Sequence, residues 1–213
     1  MRRRSWWILA GVAAAALVGL GVFFQLQAYL PHERIEIRAP WESNDTPASM
    51  IPMGETVYHP KPQVPHGHPG IDFLWTNGTS HAMVAAHDGV VSRIVQGASE
   101  PGKWDMEIRS GVYLLRYKEM DDVNGLGVGA SVREGDVVGH AGHYCDAQHC
   151  WFNVHWELAS VSLLRDRWCP VTYFDPASRA AIESLWDSVP GNDTVKSRFP
   201  DVCSGDYAGK AEP

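Results

Sequence analysis

The residues from Trp6 to Phe24 form an unbroken apolar run directly behind Arg2, Arg3 and Arg4. The hydrocarbon core of a bilayer takes roughly 20 residues at helical rise, so the run is long enough to cross it. A cleaved signal peptide has a shorter apolar region of about 7–15 residues, with small residues at the cleavage site. Phe24-Gln25-Leu26-Gln27-Ala28 matches such a site poorly. The expectation is therefore an uncleaved transmembrane helix over 6–28. The positive-inside rule keeps residues 1–5 in the cytoplasm and puts everything after Tyr29 outside it, in the periplasm or cell envelope. The rest of the 213 residues suffices for one globular domain with one core.

Removing the three arginines from a formal charge of −7 leaves −10 on the exported part. Nucleic acid is excluded as a partner on that ground, because phosphate binding draws on clustered Lys and Arg. Nothing in the sequence fixes an oligomeric state. Cys145, Cys150, Cys169 and Cys203 form an even set in a segment expected to meet an oxidising compartment, which reads as two disulfides. Three pairings are open. Cys145 with Cys150 closes a short loop and Cys169 with Cys203 ties down the tail, so that pairing is favoured over the others. A metal site of Cys145, His149 and Cys150 is the weaker alternative, since thiolate zinc sites suit reducing compartments.

Seven prolines between Pro31 and Pro65, with little periodicity, predict a spacer over 29–64 that lifts the domain off the bilayer. From 65 to 176 the chain reads as a mainly β domain, an antiparallel sheet. Its short β-rich runs include Met83 to Ala86, Val90 to Val95 and Val112 to Tyr117, with His87-Asp88-Gly89 as a turn. Val132 to Gly139 carries two valine-bearing segments around Glu134-Gly135-Asp136, a glycine-rich hairpin. Within 177–213, Asp175 caps and Pro176 opens a helix that shows Ile182, Leu185, Trp186 and Val189 on one face. That helix is packing, and a polar tail follows.

The chemistry collects in two places. In His66-Gly67-His68-Pro69-Gly70-Ile71-Asp72-Phe73 an imidazole and a carboxylate four residues apart straddle Pro69 and Gly70. Such a bend lets both side chains converge on one ion, and zinc accepts a nitrogen and oxygen pair. In Phe152-Asn153-Val154-His155-Trp156-Glu157-Leu158 the apolar residues alternate with Asn153, His155 and Glu157. Period-2 alternation makes this a strand with Asn153, His155 and Glu157 on one face. Taken singly, the first segment reads sooner as a surface-loop histidine and the second as a satisfied histidine on a half-exposed strand.

In combination, the order of motifs resembles the lysostaphin-type zinc endopeptidases of bacterial cell walls. The family's His-x-Gly-x-Asp is matched by His68-Pro69-Gly70-Ile71-Asp72. Its alanine followed by an Asp-Gly-Val turn is matched by Ala86-His87-Asp88-Gly89-Val90, and its closing His-x-His by Asn153-Val154-His155. The resemblance covers roughly 65–176. It implies a sheet of duplicated-hybrid-motif type, His68, Asp72 and His155 as ligands of a catalytic Zn²⁺, and wall cross-link peptide as substrate. Two histidines, one carboxylate and an open fourth position also suit catalytic zinc on chemical grounds.

Two further histidines of active family members are replaced here. Asn153 stands for the first of His-x-His, and Glu119 in Tyr117-Lys118-Glu119-Met120 stands for the histidine of Tyr-x-His-Leu. Asparagine can donate a hydrogen bond to an oxyanion but cannot act as a general base, whereas Glu119 can. His149, in the loop His143 to Cys150, is a second substitute for the base, and His66 and His87 read as bystanders. Trp75, Trp151 and Trp156 are candidates to line a substrate groove, their default being the core. The expected function is a membrane-anchored zinc metallopeptidase acting on peptidoglycan. The alternative is an inactive wall-binding or regulatory module that keeps the fold, with or without the metal.

Overall fold

The computed structural model describes residues 2–27, 33–54, 67–161, 167–188, 201–204 and 207. Helix α1 (Arg2–Gln27) precedes a mainly antiparallel β domain. Its strands are β1 (Ser49–Ile51), β2 (Ile71–Trp75), β3 (Ala82–Val84), β4 (Gly89–Gln96), β5 (Trp104–Ser110), β6 (Tyr113–Asp122), β7 (Ser131–Val132), β8 (Val137–Cys145), β9 (Cys150–Ser160) and β10 (Arg167–Trp168). Helix α2 (Pro176–Ser188) follows them.

The strands build one sheet in the order β1-β2-β9-β8-β6-β5-β4-β7, with β10 on β9, β3 on β8, and a second pairing of β9 with β6. Strand β9 is the hub. It pairs with β2 along one edge and on the other with β8 near its start and β6 near its end. All its residues from Phe152 onward are buried, so its polar face points into the domain instead of into water.

Strand β6 changes partner midway. Tyr113 to Lys118 pair with β9, whereas Met120 and Asp122 pair with β8, and the switch falls at Glu119. Glu119 holds φ at +67°, a left-handed conformation rare for a non-glycine residue. Its backbone N–H donates to Asp105 Oδ1 at 3.2 Å, and Asp105 is itself held by Ser99 Oγ at 2.6 Å. The bulge breaks the alternation of the strand, with a direct consequence for where the Glu119 side chain goes.

The strands expected from sequence form, and β1, β2, β5 and β10 join them. The hairpin expected over Val132 to Gly139 does not: β7 pairs with β4, while β8 pairs with β3, β6 and β9. Gly135, at φ +86°, turns the chain from one to the other without pairing them. The spacer expected over 29–64 is also corrected where it is described. Ile37, Trp41, Met50 and Met53 are buried in the core, and β1 pairs with β2, so 33–54 belongs to the domain. Prolines suit this segment because it runs along the sheet edge, where few backbone donors are needed.

Both disulfides take the favoured pairing, Cys145–Cys150 and Cys169–Cys203. Asp175 caps α2 through the backbone N–H groups of Ala177 and Ser178, and Ile182, Leu185 and Trp186 are buried. Val189 lies outside the described residues. Helix α1 runs for 26 residues, about 39 Å at helical rise. Among the described residues no helix is long and apolar enough to cross a membrane, so they do not bear out the transmembrane helix expected over 6–28. The side chains of α1 are described only at Trp6 and over 10–23, where they are almost all exposed.

The Cys169–Cys203 bridge spans 34 residues and fastens the tail to the core. Loop-closure entropy for a loop of that size is about 3–4 kcal/mol. A Cys169→Ser, Cys203→Ser double variant is expected to lose about that much stability in urea unfolding, with the sheet's circular dichroism retained in buffer.

Candidate metal centre

His68, Asp72 and His155 come together. Register places Asp72 directly opposite His155 across β2 and β9. His68 sits just ahead of β2, tied by backbone hydrogen bonds in both directions to Gly54. His155 Nδ1 lies 2.7 Å from Asp72 Oδ1 and 2.9 Å from His68 Nε2, and His68 Nε2 lies 3.1 Å from Asp72 Oδ1. All three residues are buried.

Gly70 is what allows this convergence. A Cβ there would run into the Trp156 carbonyl and come within 2.9 Å of both His155 Nε2 and the Glu157 Cγ. The backbone of the His-x-Gly-x-Asp turn lies flat against β9, and only glycine fits between them.

The far nitrogen of each imidazole is held by an acceptor. His68 Nδ1 donates to the Pro52 carbonyl at 2.9 Å, and His155 Nε2 donates to Glu157 Oε1 at 3.1 Å. The opposite nitrogens, His68 Nε2 and His155 Nδ1, therefore turn their lone pairs towards Asp72 when both rings are neutral. Tetrahedral zinc with bonds of about 2.0–2.1 Å separates its ligand atoms by roughly 3.3 Å. The observed triangle needs to open by only a few tenths of an ångström to meet that, so the donor set fits zinc. Pro52 lies in the segment expected as a spacer, and its carbonyl orients the His68 ring.

Glu157 is fully buried, yet meets four positive or protonated groups. Its carboxylate accepts from Arg116 at 2.9 Å, from Arg167 at 2.8 Å, from the Lys118 ammonium and from His155. Burial works to raise its pKa, but these partners, His155 foremost, carry it well below the usual carboxylate range. Asp72 behaves alike: burial opposes ionisation, and hydrogen bonds from His155 and His68 override it, holding the carboxylate ionised. For His155, burial favours the neutral ring, but the hydrogen bonds to Asp72 and Glu157 raise its pKa to about 9. A proton on Nδ1 thus occupies the place a metal would take.

Glu119 joins the site through its bulge. Arg116 and Lys118 reach Glu157 on the site face of β6, so simple alternation would send Glu119 to the opposite face. The left-handed turn at Glu119 returns it, and its Oε2 accepts from Asn153 Nδ2 at 2.7 Å. Burial raises its pKa, His155 and Asn153 oppose that, and Asp72 and Asp105 add to it. Asn153 spends a donor on Glu119, and what it leaves unpaired is its buried Oδ1.

His149 is corrected as a substitute base. Its side chain is 77% exposed at the β8–β9 turn, 3.9 Å from Asp146, facing solvent and not the ligands. His87 contacts Ser110, away from the centre, and His66 lies outside the described residues. Trp75 and Trp156 are fully buried core residues, whereas Trp151 is half-buried and stacks on Tyr144. The sequence reading assigned no role to Arg116, Lys118 or Arg167, although the placement of Glu157 on the ligand face was a signal that a buried charge needed partners.

A proton competes with metal at His155 below about pH 9. Zinc affinity is therefore expected to weaken by about tenfold per pH unit between about pH 8 and pH 6, read by competition against a chromophoric chelator.

No family model matches the sequence. No curated protein matches it either. Solved structures do. Csd3 of Helicobacter pylori is 19% identical at a TM-score of 0.48, over 78% of this chain and 44% of that one. LytU is 19% identical at 0.47, over 67% and 97%. The catalytic domain of lysostaphin, the antimicrobial peptidase of Staphylococcus simulans, is 16% identical at 0.44, over 58% and 88%. The chain thus spans less than half the length of Csd3.

Proposed function

We propose that this chain is a membrane-anchored zinc peptidase that cleaves peptide cross-links of the bacterial cell wall. The observation that carries the reading is the convergence of His68 Nε2, Asp72 Oδ1 and His155 Nδ1, with the Glu119 carboxylate held beside them by Asn153. Bound zinc would supply Lewis acidity, polarising a peptide carbonyl and easing the ionisation of water. Around it, Pro52 and Glu157 fix the two ligand rings, and burial excludes bulk water.

Glu119 takes the part of general base. Its raised pKa brings it closer to the range where a carboxylate both accepts and returns a proton. In this role it takes a proton from the attacking water and delivers it to the leaving amine. Asn153 aims the carboxylate while leaving it free to carry that proton. The substrate class follows from the resemblance of the motifs and from an acidic exported domain unsuited to nucleic acid.

The alternative, an inactive wall-binding or regulatory module, is favoured by the replacement of two imidazoles with Glu119 and Asn153. Assays on zinc-loaded protein separate the two. Release of peptide from purified peptidoglycan is expected, lost together with zinc in His155→Ala. In Glu119→Gln, turnover is expected to fall by at least about 10²-fold with zinc retained. Zinc binding without any release would establish the module instead.

The exposed apolar side chains of helix α1, and not a demonstrated span, support anchoring. Trp6, Val12, Leu17, Leu20 and Phe23 are between 54% and 74% exposed, a surface that water disfavours and lipid accepts. The full chain is expected in the membrane fraction and a 1–27 deletion in the soluble one. A deletion product that still sediments with membranes would overturn the anchor.

A further inference from the structure

Tyr144 and Trp151 pair across β8 and β9, as do Gly142 and Asn153 one step nearer the metal centre. By the two-residue period all four belong to the face that carries His155. The rings of Tyr144 and Trp151 stack with centroids 5.9 Å apart. The Tyr144 ring also leans back over Gly142. Its Cε2 is 3.1 Å from where a Cβ on Gly142 would stand, and the Glu119 carbonyl presses on the same place. Gly142 thus leaves room for the Tyr144 ring beside Glu119. The Lys103 ammonium sits 4.4 Å from the centre of that ring and pairs with Asp121.

Two buried polar atoms on this face have no hydrogen-bond partner among the described residues: the Tyr144 hydroxyl and Asn153 Oδ1. A buried polar atom left unpaired is costly, so two on one face point to a ligand that pairs with both. One is an acceptor. The other is a donor: burial raises the Tyr144 pKa, and the negative charges of Glu119, Glu100, Asp121 and Asp72 raise it further, so the phenol keeps its proton. A donor and an acceptor set diagonally across two adjacent strands match the alternating N–H and C=O of an extended peptide.

We propose that Tyr144 and Asn153 form a seat for the backbone of the substrate peptide next to the metal centre. Asn153 Oδ1 accepts an amide N–H, the Tyr144 hydroxyl donates to a neighbouring carbonyl, and Trp151 walls the seat. Tyr144 is here a positioning residue. The inference rests on the peptidase reading for the class of ligand, but not for the presence of the seat.

The test uses the full chain in detergent micelles, loaded with zinc, and soluble cross-linked muropeptides cut from peptidoglycan with a muramidase. Calorimetry gives affinity, and product release gives KM and kcat. Tyr144→Phe keeps the ring and its stack on Trp151. It is expected to weaken muropeptide affinity and raise KM by about tenfold, with kcat changed less than about threefold and zinc stoichiometry unchanged. A wild-type protein that turns over, beside a Tyr144→Phe variant of equal affinity and KM, would overturn the seat while leaving the peptidase reading intact. Binding without turnover, weakened about tenfold in Tyr144→Phe, would support the seat and remove the peptidase reading. Absence of muropeptide binding by the wild type would overturn the seat outright.

Discussion

An ionised carboxylate with no exposure to water sits under the candidate metal centre, and much of the domain is arranged around the need to compensate it. Glu157 lies on the central strand β9 and is met by Arg116 and Lys118 from β6, by Arg167 from β10 and by His155 from its own strand. Desolvating an isolated carboxylate costs several kcal/mol, and removing one partner from a buried pair commonly costs about 3–5 kcal/mol. The cluster therefore fixes the register of β6 and β10 on β9, because a slip by one residue would turn the cations to the other face. It also holds the His155 ring by one nitrogen, which leaves the other facing Asp72 and His68.

The same register accounts for the strained residue at the site. Once Arg116 and Lys118 are committed to Glu157, a regular strand would carry Glu119 away from the ligands. A left-handed residue costs of order 1–3 kcal/mol, and it persists here with Asp105 bonding the Glu119 amide and Gly142 admitting its carbonyl. The return is a carboxylate placed against Asn153 beside a two-histidine, one-carboxylate centre. Where the resemblance implies two imidazoles, this chain carries a hydrogen-bonded acid and amide. The substitution is of a pair for a pair, and it changes the polarity that the cleft presents: Asn153 offers an acceptor where a protonated imidazole would offer a donor.

The segment ahead of the first motif has more than a connecting role. Ile37, Trp41, Met50 and Met53 fill the core, β1 extends the sheet, and the Pro52 carbonyl orients His68. The geometry of the candidate metal centre is in this way coupled to residues that precede it in the chain. Any shortened form of the protein that begins after Gly54 loses both a sheet edge and the partner of a ligand.

Sequence alone singled out His68, Asp72 and His155 as candidates, the strand that carries His155, the capped C-terminal helix and the disulfide pairing favoured among three. Each of these is written in local signals: His-x-Gly-x-Asp, a period of two, Asp-Pro before an amphipathic stretch, and cysteine spacing. The sheet order, the roles of Glu157, Arg116 and Tyr144, and the recruitment of 33–54 into the core were decided only by tertiary structure. Proline content resembles that of a spacer whether or not a segment packs against an edge, since edge and linker alike need few backbone donors. Glu119 falls between these cases. Its position was legible from the motif, but its side chain reaches the site because of one φ angle, and that angle is set by strand pairings of residues far apart in the chain.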